Sequence, residues 1–213
     1  MSIAATIVCL IALAGLLHAE RRGARRGIYA TKPLASLAFI AVALGHGATG
    51  AYGKWILVGL VLGAVGDVAL MFKTDRAFLA GLVAFLLGHV AYVVAFAGVT
   101  PPNAWLVWAI VPIVGAAVVL RWLWPHLGKL RIPVILYVVV ITAMATGGLA
   151  AQGAARHDLT ATAATLLTLG ALFFFASDIA VARDKFVASG FVNRAWGLPA
   201  YYGGQLLLAW SLA

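Results

Sequence analysis

Charge is scarce in this chain. Only 10% of its 213 residues are Asp, Glu, Lys or Arg, and six of them are acidic, where an average soluble domain carries roughly 25%. So few charges cannot cover a water-facing surface, which excludes an ordinary soluble globule. Cysteine is nearly absent too. Cys9 is the single one, which excludes an internal disulfide and a thiolate metal cluster. There is no His-Glu-x-x-His pair, no Gly-x-Ser-x-Gly elbow and no Walker loop, so zincin, serine-hydrolase and P-loop chemistries have no motif to rest on. His18, His46, His89, His126 and His157 are scattered over different segments, which leaves a zinc site built from His89 and the acids with little support.

What the chain has in place of charge is hydrocarbon, with 64% of its residues hydrophobic. Crossing about 30 Å of lipid takes around 17–25 apolar residues. Runs of that kind lie at 2–19, 33–50, 54–72, 77–97, 103–123, 132–150, 160–182 and 195–213. The breaks carry charge or Pro: Glu20 to Lys32, Lys73 to Arg76, Thr100-Pro-Pro-Asn103 and Arg183 to Lys185. Loops so short leave no room for an extramembrane domain. The fold class read from this is all-α: a polytopic membrane protein, a bundle of about eight transmembrane helices forming one domain over 1–213. A formal charge of +9 would suggest nucleic acid in a soluble protein; here the basic residues flank apolar runs, so no nucleic-acid partner is expected. Residues 1–19 have their basic cluster after the apolar run and not before it, the mark of a first span and not of a signal peptide. All but two of the 15 Lys and Arg fall in the odd-numbered loops, the exceptions being Lys54 and Arg156. Those loops are therefore expected in the cytoplasm, with both termini on the other side.

The second half echoes the first. Gly66-Asp67-Val68-Ala69-Leu70 parallels Ser177-Asp178-Ile179-Ala180-Val181, and Gly81-Leu82-Val83-Ala84-Phe85 with Gly88-His89 parallels Gly197-Leu198-Pro199-Ala200-Tyr201 with Gly204-Gln205. An internal repeat of four plus four helices would produce this, and so would chance among abundant Gly, Ala and Leu.

Four acids, Glu20, Asp75, Asp158 and Asp184, fall in loops and are expected to be solvated. Asp67 and Asp178 lie inside apolar runs, where a carboxylate costs about 2.5–3.5 kcal/mol on insertion scales and usually serves function. Six residues separate Asp67 from Lys73, and five separate Asp178 from Arg183. Both should then sit roughly 8–9 Å inside the cytoplasmic boundary. Two acids at one level can share a site. Tyr137, His89, Tyr201, Tyr202 and Gln205 reach the same half of the membrane, with Phe85, His89 and Tyr92 on one stripe. A lone tyrosine at this depth is more often an interfacial anchor than a ligand contact, and structural hydrogen bonding accounts equally for His89 and Gln205. Lys32 before Pro33 reads as the start of the second helix, a combination that suits a phosphate as well as a snorkelling lysine. Gly59-x-x-x-Gly63 would let a neighbouring helix come close.

As a set, these residues resemble the YhhN family of polytopic membrane proteins. The matching pieces are Lys32-Pro33-Leu34, Gly66-Asp67-Val68, Gly81-Leu82-x-Ala-Phe85 with His89 and Tyr92, Tyr137, Gly170-Ala171-Leu172-Phe173 through Ser177-Asp178, Lys185-Phe186, and Tyr201-Tyr202-x-x-Gln205. The resemblance implies a lysoplasmalogenase, an ether hydrolase that splits the vinyl-ether bond of a lysophospholipid reached from the membrane. It further implies Asp67 and Asp178 as catalytic carboxyls, with Lys32, His89, Tyr137, Ser177, Tyr201, Tyr202 and Gln205 around the substrate, and neither metal nor organic cofactor. A homo-oligomer is compatible with this. A proton-coupled secondary transporter and a non-catalytic lipid-binding protein would also bury acids in a bundle. A carrier would more often place them at the midplane, beside broken helices. Here Pro33, Pro133 and Pro199 are expected near helix starts. The Ala- and Gly-rich composition points to a bacterial plasma membrane.

Overall fold

The computed structural model describes residues 1–153 and 159–213. Arg156, His157 and Asp158 lie outside the described residues. Nine α-helices form among those described: α1 Ser2–Arg22, α2 Arg25–Gly45, α3 Gly50–Leu70, α4 Asp75–Val99, α5 Pro102–Trp108, α6 Ile110–Leu123, α7 Arg131–Gly153, α8 Ala161–Ala182 and α9 Phe191–Trp210. Their outward side chains, such as Ile3, Ile11, Leu37, Val83 and Val139, are large, apolar and exposed. A surface of that kind is stable only in hydrocarbon. The protein is an integral, multi-pass membrane protein.

Six helical stretches are long and apolar enough to cross a membrane, and a seventh arises if α5 and α6, bent by 51° at their junction, make one broken span. Pro112 explains that break, because it has no N–H for the carbonyl of Trp108 and its ring crowds that carbonyl. The expected count of eight is not confirmed. The remaining helix, α9, carries Asn193, Arg194, Tyr201, Tyr202 and Gln205, and buries all of these except Arg194. It packs on α8, α2, α1 and α3. Protein is its solvent on several sides, so its own apolarity can be lower.

Two helix starts differ from the sequence expectation. Gly23 closes α1 in the left-handed region, with φ 65°, and α2 begins at once at Arg25. Pro33 is therefore the ninth residue of α2, not its first. Similarly, α9 begins at Phe191 and holds Pro199 in its interior. In both cases the first turns are polar and sit at the basic end of the bundle, so apolar runs could not reveal them.

Close hairpins set the frame. In the α3–α4 pair, a Cβ on Gly88 would lie 3.3 Å from the Gly59 carbonyl oxygen, and one on Gly81 3.4 Å from that of Gly66. In the α8–α9 pair, a Cβ on Gly204 would lie 3.0 Å from the Gly170 oxygen, and one on Gly197 3.8 Å from that of Ser177. The same four positions thus set the contact in each hairpin. The four-plus-four repeat expected from the sequence goes beyond this correspondence.

Ion pairs tie the basic ends together. Arg194 reaches Glu20 at 3.1 Å and Asp184 at 3.0 Å, and Lys185 meets Asp75 at 3.3 Å. Glu20 and Asp184 are thus partly buried in a clasp joining α1, the turn after α8 and α9, while Asp75 stands in solvent as expected.

Candidate active site

Asp67 projects from α3 into the bundle and is 2% exposed. Four residues apart on α2, Lys32 and Ser36 share the face that meets it. The Lys32 ammonium lies 3.4 Å from Oδ1, and the Ser36 hydroxyl donates to Oδ2 at 2.7 Å. Tyr202, from α9, donates to the same oxygen at 3.4 Å. Both hydroxyls also lie within hydrogen-bond distance of the Lys32 carbonyl, at 3.1 and 3.3 Å, so the ammonium is the one group here that can only donate. Lys32 therefore does not sit at a helix N-terminus, as the Lys-Pro pair suggested; that end of α2 lies seven residues earlier, at Arg25.

Next to this cluster, the Tyr92 hydroxyl donates to Gln205 Oε1 at 2.6 Å, and Gln205 Nε2 donates to the Tyr201 hydroxyl at 3.2 Å. Two small residues of α3 make room for the chain. A side chain on Gly59 would run into the Tyr92 ring, and one on Gly63 into the amide of Gln205.

Asp178, on α8, has different company. Tyr137, from α7, donates to its Oδ2 at 2.8 Å. His89 Nε2, from α4, lies 3.5 Å from that oxygen. The other ring nitrogen, Nδ1–H, donates to the Phe85 carbonyl at 2.6 Å. The His89 ring stands edge-on to Phe174 and Tyr137, with centroids 4.5 and 5.2 Å apart. Asp178 is also the more accessible acid, its side chain 17% exposed against 3% for Asp67.

The expected residues thus gather in two groups. Asp67 comes together with Lys32 and Tyr202, and Asp178 with His89 and Tyr137. Among the described contacts the two carboxyls share no hydrogen-bond partner. The rings of Phe174, Phe85 and Tyr201, packed edge-to-face with centroids 5.3–6.3 Å apart, connect one group to the other. Ser177 joins neither: its hydroxyl donates to the Phe174 carbonyl. Ser36 and Tyr92 join the site beyond the contacts expected from the sequence. Ser36 carried a signal, its four-residue spacing from Lys32; Tyr92 lay on the His89 stripe. Among the described residues, no three His, Cys, Asp or Glu side chains come close enough to hold a metal ion.

Comparison with known proteins agrees with the residue pattern. The chain is 34% identical over 160 residues to the Bos taurus protein named lysoplasmalogenase TMEM86A, covering 73% of this chain and 64% of that protein. To a Mycobacterium bovis protein named lysoplasmalogenase it is 34% identical over 157 residues, covering 70% and 55%. To the human protein named lysoplasmalogenase TMEM86B it is 32% identical over 165 residues, covering 76% and 65%. In each case the match spans less than two thirds of the relative's own length. No solved structure matches the chain. The sequence profile of the YhhN family matches residues 27–212, the stretch that holds both carboxyl groups and every partner described for them, and the chain belongs to that family.

Proposed function

We propose that the protein hydrolyses the vinyl-ether bond of lysoplasmalogens, releasing a fatty aldehyde and a glycerophospho-alcohol. The observation that carries this reading is a carboxyl group inside the bundle, Asp178, held on one side by Tyr137 and still reachable from outside. The names of the relatives supply the substrate class.

Vinyl-ether hydrolysis suits carboxyl chemistry. A carboxylic acid delivers its proton to the double-bond carbon remote from oxygen, and the π electrons form the new C–H bond. The ether oxygen then shares its lone pair with the neighbouring carbon, giving an oxocarbenium ion. Water adds to that carbon and gives up a proton to a carboxylate. The resulting hemiacetal loses its hydroxyl proton, the bond to the glycerol oxygen breaks, and that oxygen is protonated. One water is consumed, and nothing is oxidised or reduced. A positioned acid and base are each worth typically 10²–10⁴-fold, and glycoside hydrolysis meets a similar cation with two carboxyls. Asp67 and Asp178 are the two carboxyls this reading assigns to the reaction. Gln205, Tyr201 and Tyr92 hold the wall around Asp67. Lys32, engaged with Asp67, is assigned to that acid and not to the substrate phosphate. No metal or organic cofactor enters these steps.

In this reading the site faces the cytoplasmic leaflet of a bacterial plasma membrane, with the basic end inside and both termini outside. Purified protein given a lysoplasmenyl lipid should release aldehyde, with or without chelator. If Asp67→Asn and Asp178→Asn release it as fast as wild type, the mechanism is wrong. The carrier reading draws on one observation, the interior prolines Pro33 and Pro199, but both helices continue through them. Counterflow of a labelled solute into liposomes, with no aldehyde formed, would favour it.

A further inference from the structure

We propose that His89 and Asp178 hold a single proton between them and form the acid of the site, while Asp67 stays the anion beside Lys32. Its chemical role rests on the hydrolase reading above; the shared proton itself follows from counting donors.

The count begins at Phe85. Its carbonyl oxygen can only accept, so the 2.6 Å contact to His89 Nδ1 places a hydrogen on that nitrogen. A neutral imidazole protonated there has a bare lone pair at Nε2. That nitrogen is buried and has no hydrogen-bond partner. What faces it, 3.5 Å away, is Asp178 Oδ2, an oxygen that already accepts from Tyr137. An ionised Asp178 opposite a neutral His89 would set two acceptors against each other in a buried place, where an unmet acceptor typically costs about 1–3 kcal/mol. One proton removes the conflict. On the carboxyl it donates to Nε2, and on the ring Nε2–H donates to the carboxylate. The separation is about 0.5 Å longer than an ordinary hydrogen bond, a gap that a small rotation of the Asp178 carboxyl can close.

Asp67 gives the opposite count. The Lys32 ammonium, 3.4 Å away, can only donate, so a proton on the oxygen facing it would set donor against donor; the Ser36 and Tyr202 hydroxyls, each with the Lys32 carbonyl as a second acceptor, fit either state. The groups facing the His89–Asp178 pair are Tyr137 from α7 and Phe174 from α8, with Phe85 below on α4; none of them supplies a second cation. Having given its proton to the vinyl carbon, the pair is left able to accept one from the incoming water. One group then serves both steps, and Asp67 keeps its negative charge beside Lys32 on the other side of the packed rings.

The test is nitrogen NMR of the full chain, labelled at histidine and held in detergent micelles, with His89 assigned by its loss in His89→Gln. The expected result is a hydrogen on Nδ1 and an Nε2 resonance shifted by a shared or transferred proton, which reverts to that of a bare neutral nitrogen in Asp178→Ala. An Nε2–H with a bare Nδ1, or an Nε2 resonance that Asp178→Ala leaves unmoved, would overturn the proposal. Aldehyde release gives the second reading. His89→Gln and His89→Asn should each lower kcat by a hundredfold or more, with KM little changed; Asn can keep the Phe85 contact, so its loss of rate would not come from that bond. Wild-type rates in both variants would overturn the catalytic role. Should wild type show the shared-proton signature yet release no aldehyde, the proton pair stands and only the lysoplasmalogen reading falls.

Discussion

The α3–α4 and α8–α9 hairpins place an acid at the same point of the same packing register, yet give it opposite surroundings. Gly59, Gly66, Gly81 and Gly88 in one match Gly170, Ser177, Gly197 and Gly204 in the other, and Asp67 and Asp178 each follow the second member of their set. The backbone template is shared. What differs is the helix laid beside each acid. Next to Asp67, α2 contributes an ammonium and a hydroxyl. Next to Asp178, α7 contributes a phenol, and α4 an imidazole with a free nitrogen. One template can thus carry a fixed charge in one copy and a movable proton in the other, the separation of roles that acid–base chemistry needs.

The largest effect should come from removing the movable proton: Asp178→Asn is expected to cut aldehyde release by about 10²–10⁴-fold, measured under saturating lipid. Asp67→Asn should also be slow but should leave the His89 resonances unchanged; a change there would break the division between the two sites. Next comes stability. Lys32→Met leaves a buried carboxyl without its cation, and breaking one partner of a buried pair typically costs about 3–5 kcal/mol. Urea or thermal unfolding in detergent should show a loss of that size, with Asp67→Asn restoring part of it in the double variant. Packing gives a smaller contrast. Gly204→Ala should destabilise more than Gly88→Ala, because its new Cβ would meet backbone atoms at 3.0 and 3.2 Å, against 3.3 Å for the nearest atom at Gly88. A modest effect is expected for Tyr92→Phe, which leaves the buried Oε1 of Gln205 without its donor, about 1–3 kcal/mol. Comparing its melting temperature with that of wild type would reveal it.

How much of this the sequence carried depends on what each residue has to overcome. Asp67 and Asp178 were legible because a carboxyl amid apolar residues is costly wherever it points. Their partners were legible as polar residues at the right depth, but the division into two groups was not, because sequence gives depth along a helix and not rotation about its axis relative to its neighbours. Long apolar runs located most of the helices. They failed where hydrophobicity and helix formation part company: the polar first turns before Pro33 and Pro199, and the break ahead of Pro112. Glu20 and Asp184 looked like loop charges because Arg194, which clasps both, lies far from Glu20 in sequence.

Cys9, 0% exposed with its thiol directed at the Ala35 carbonyl, has a practical consequence. Water-soluble alkylating reagents should find nothing to modify in the folded wild-type protein. A cysteine introduced at the α5–α6 bend or at either end of a hairpin would then report alone. Its labelling from one side of a sealed vesicle or the other would show directly which way the basic end points.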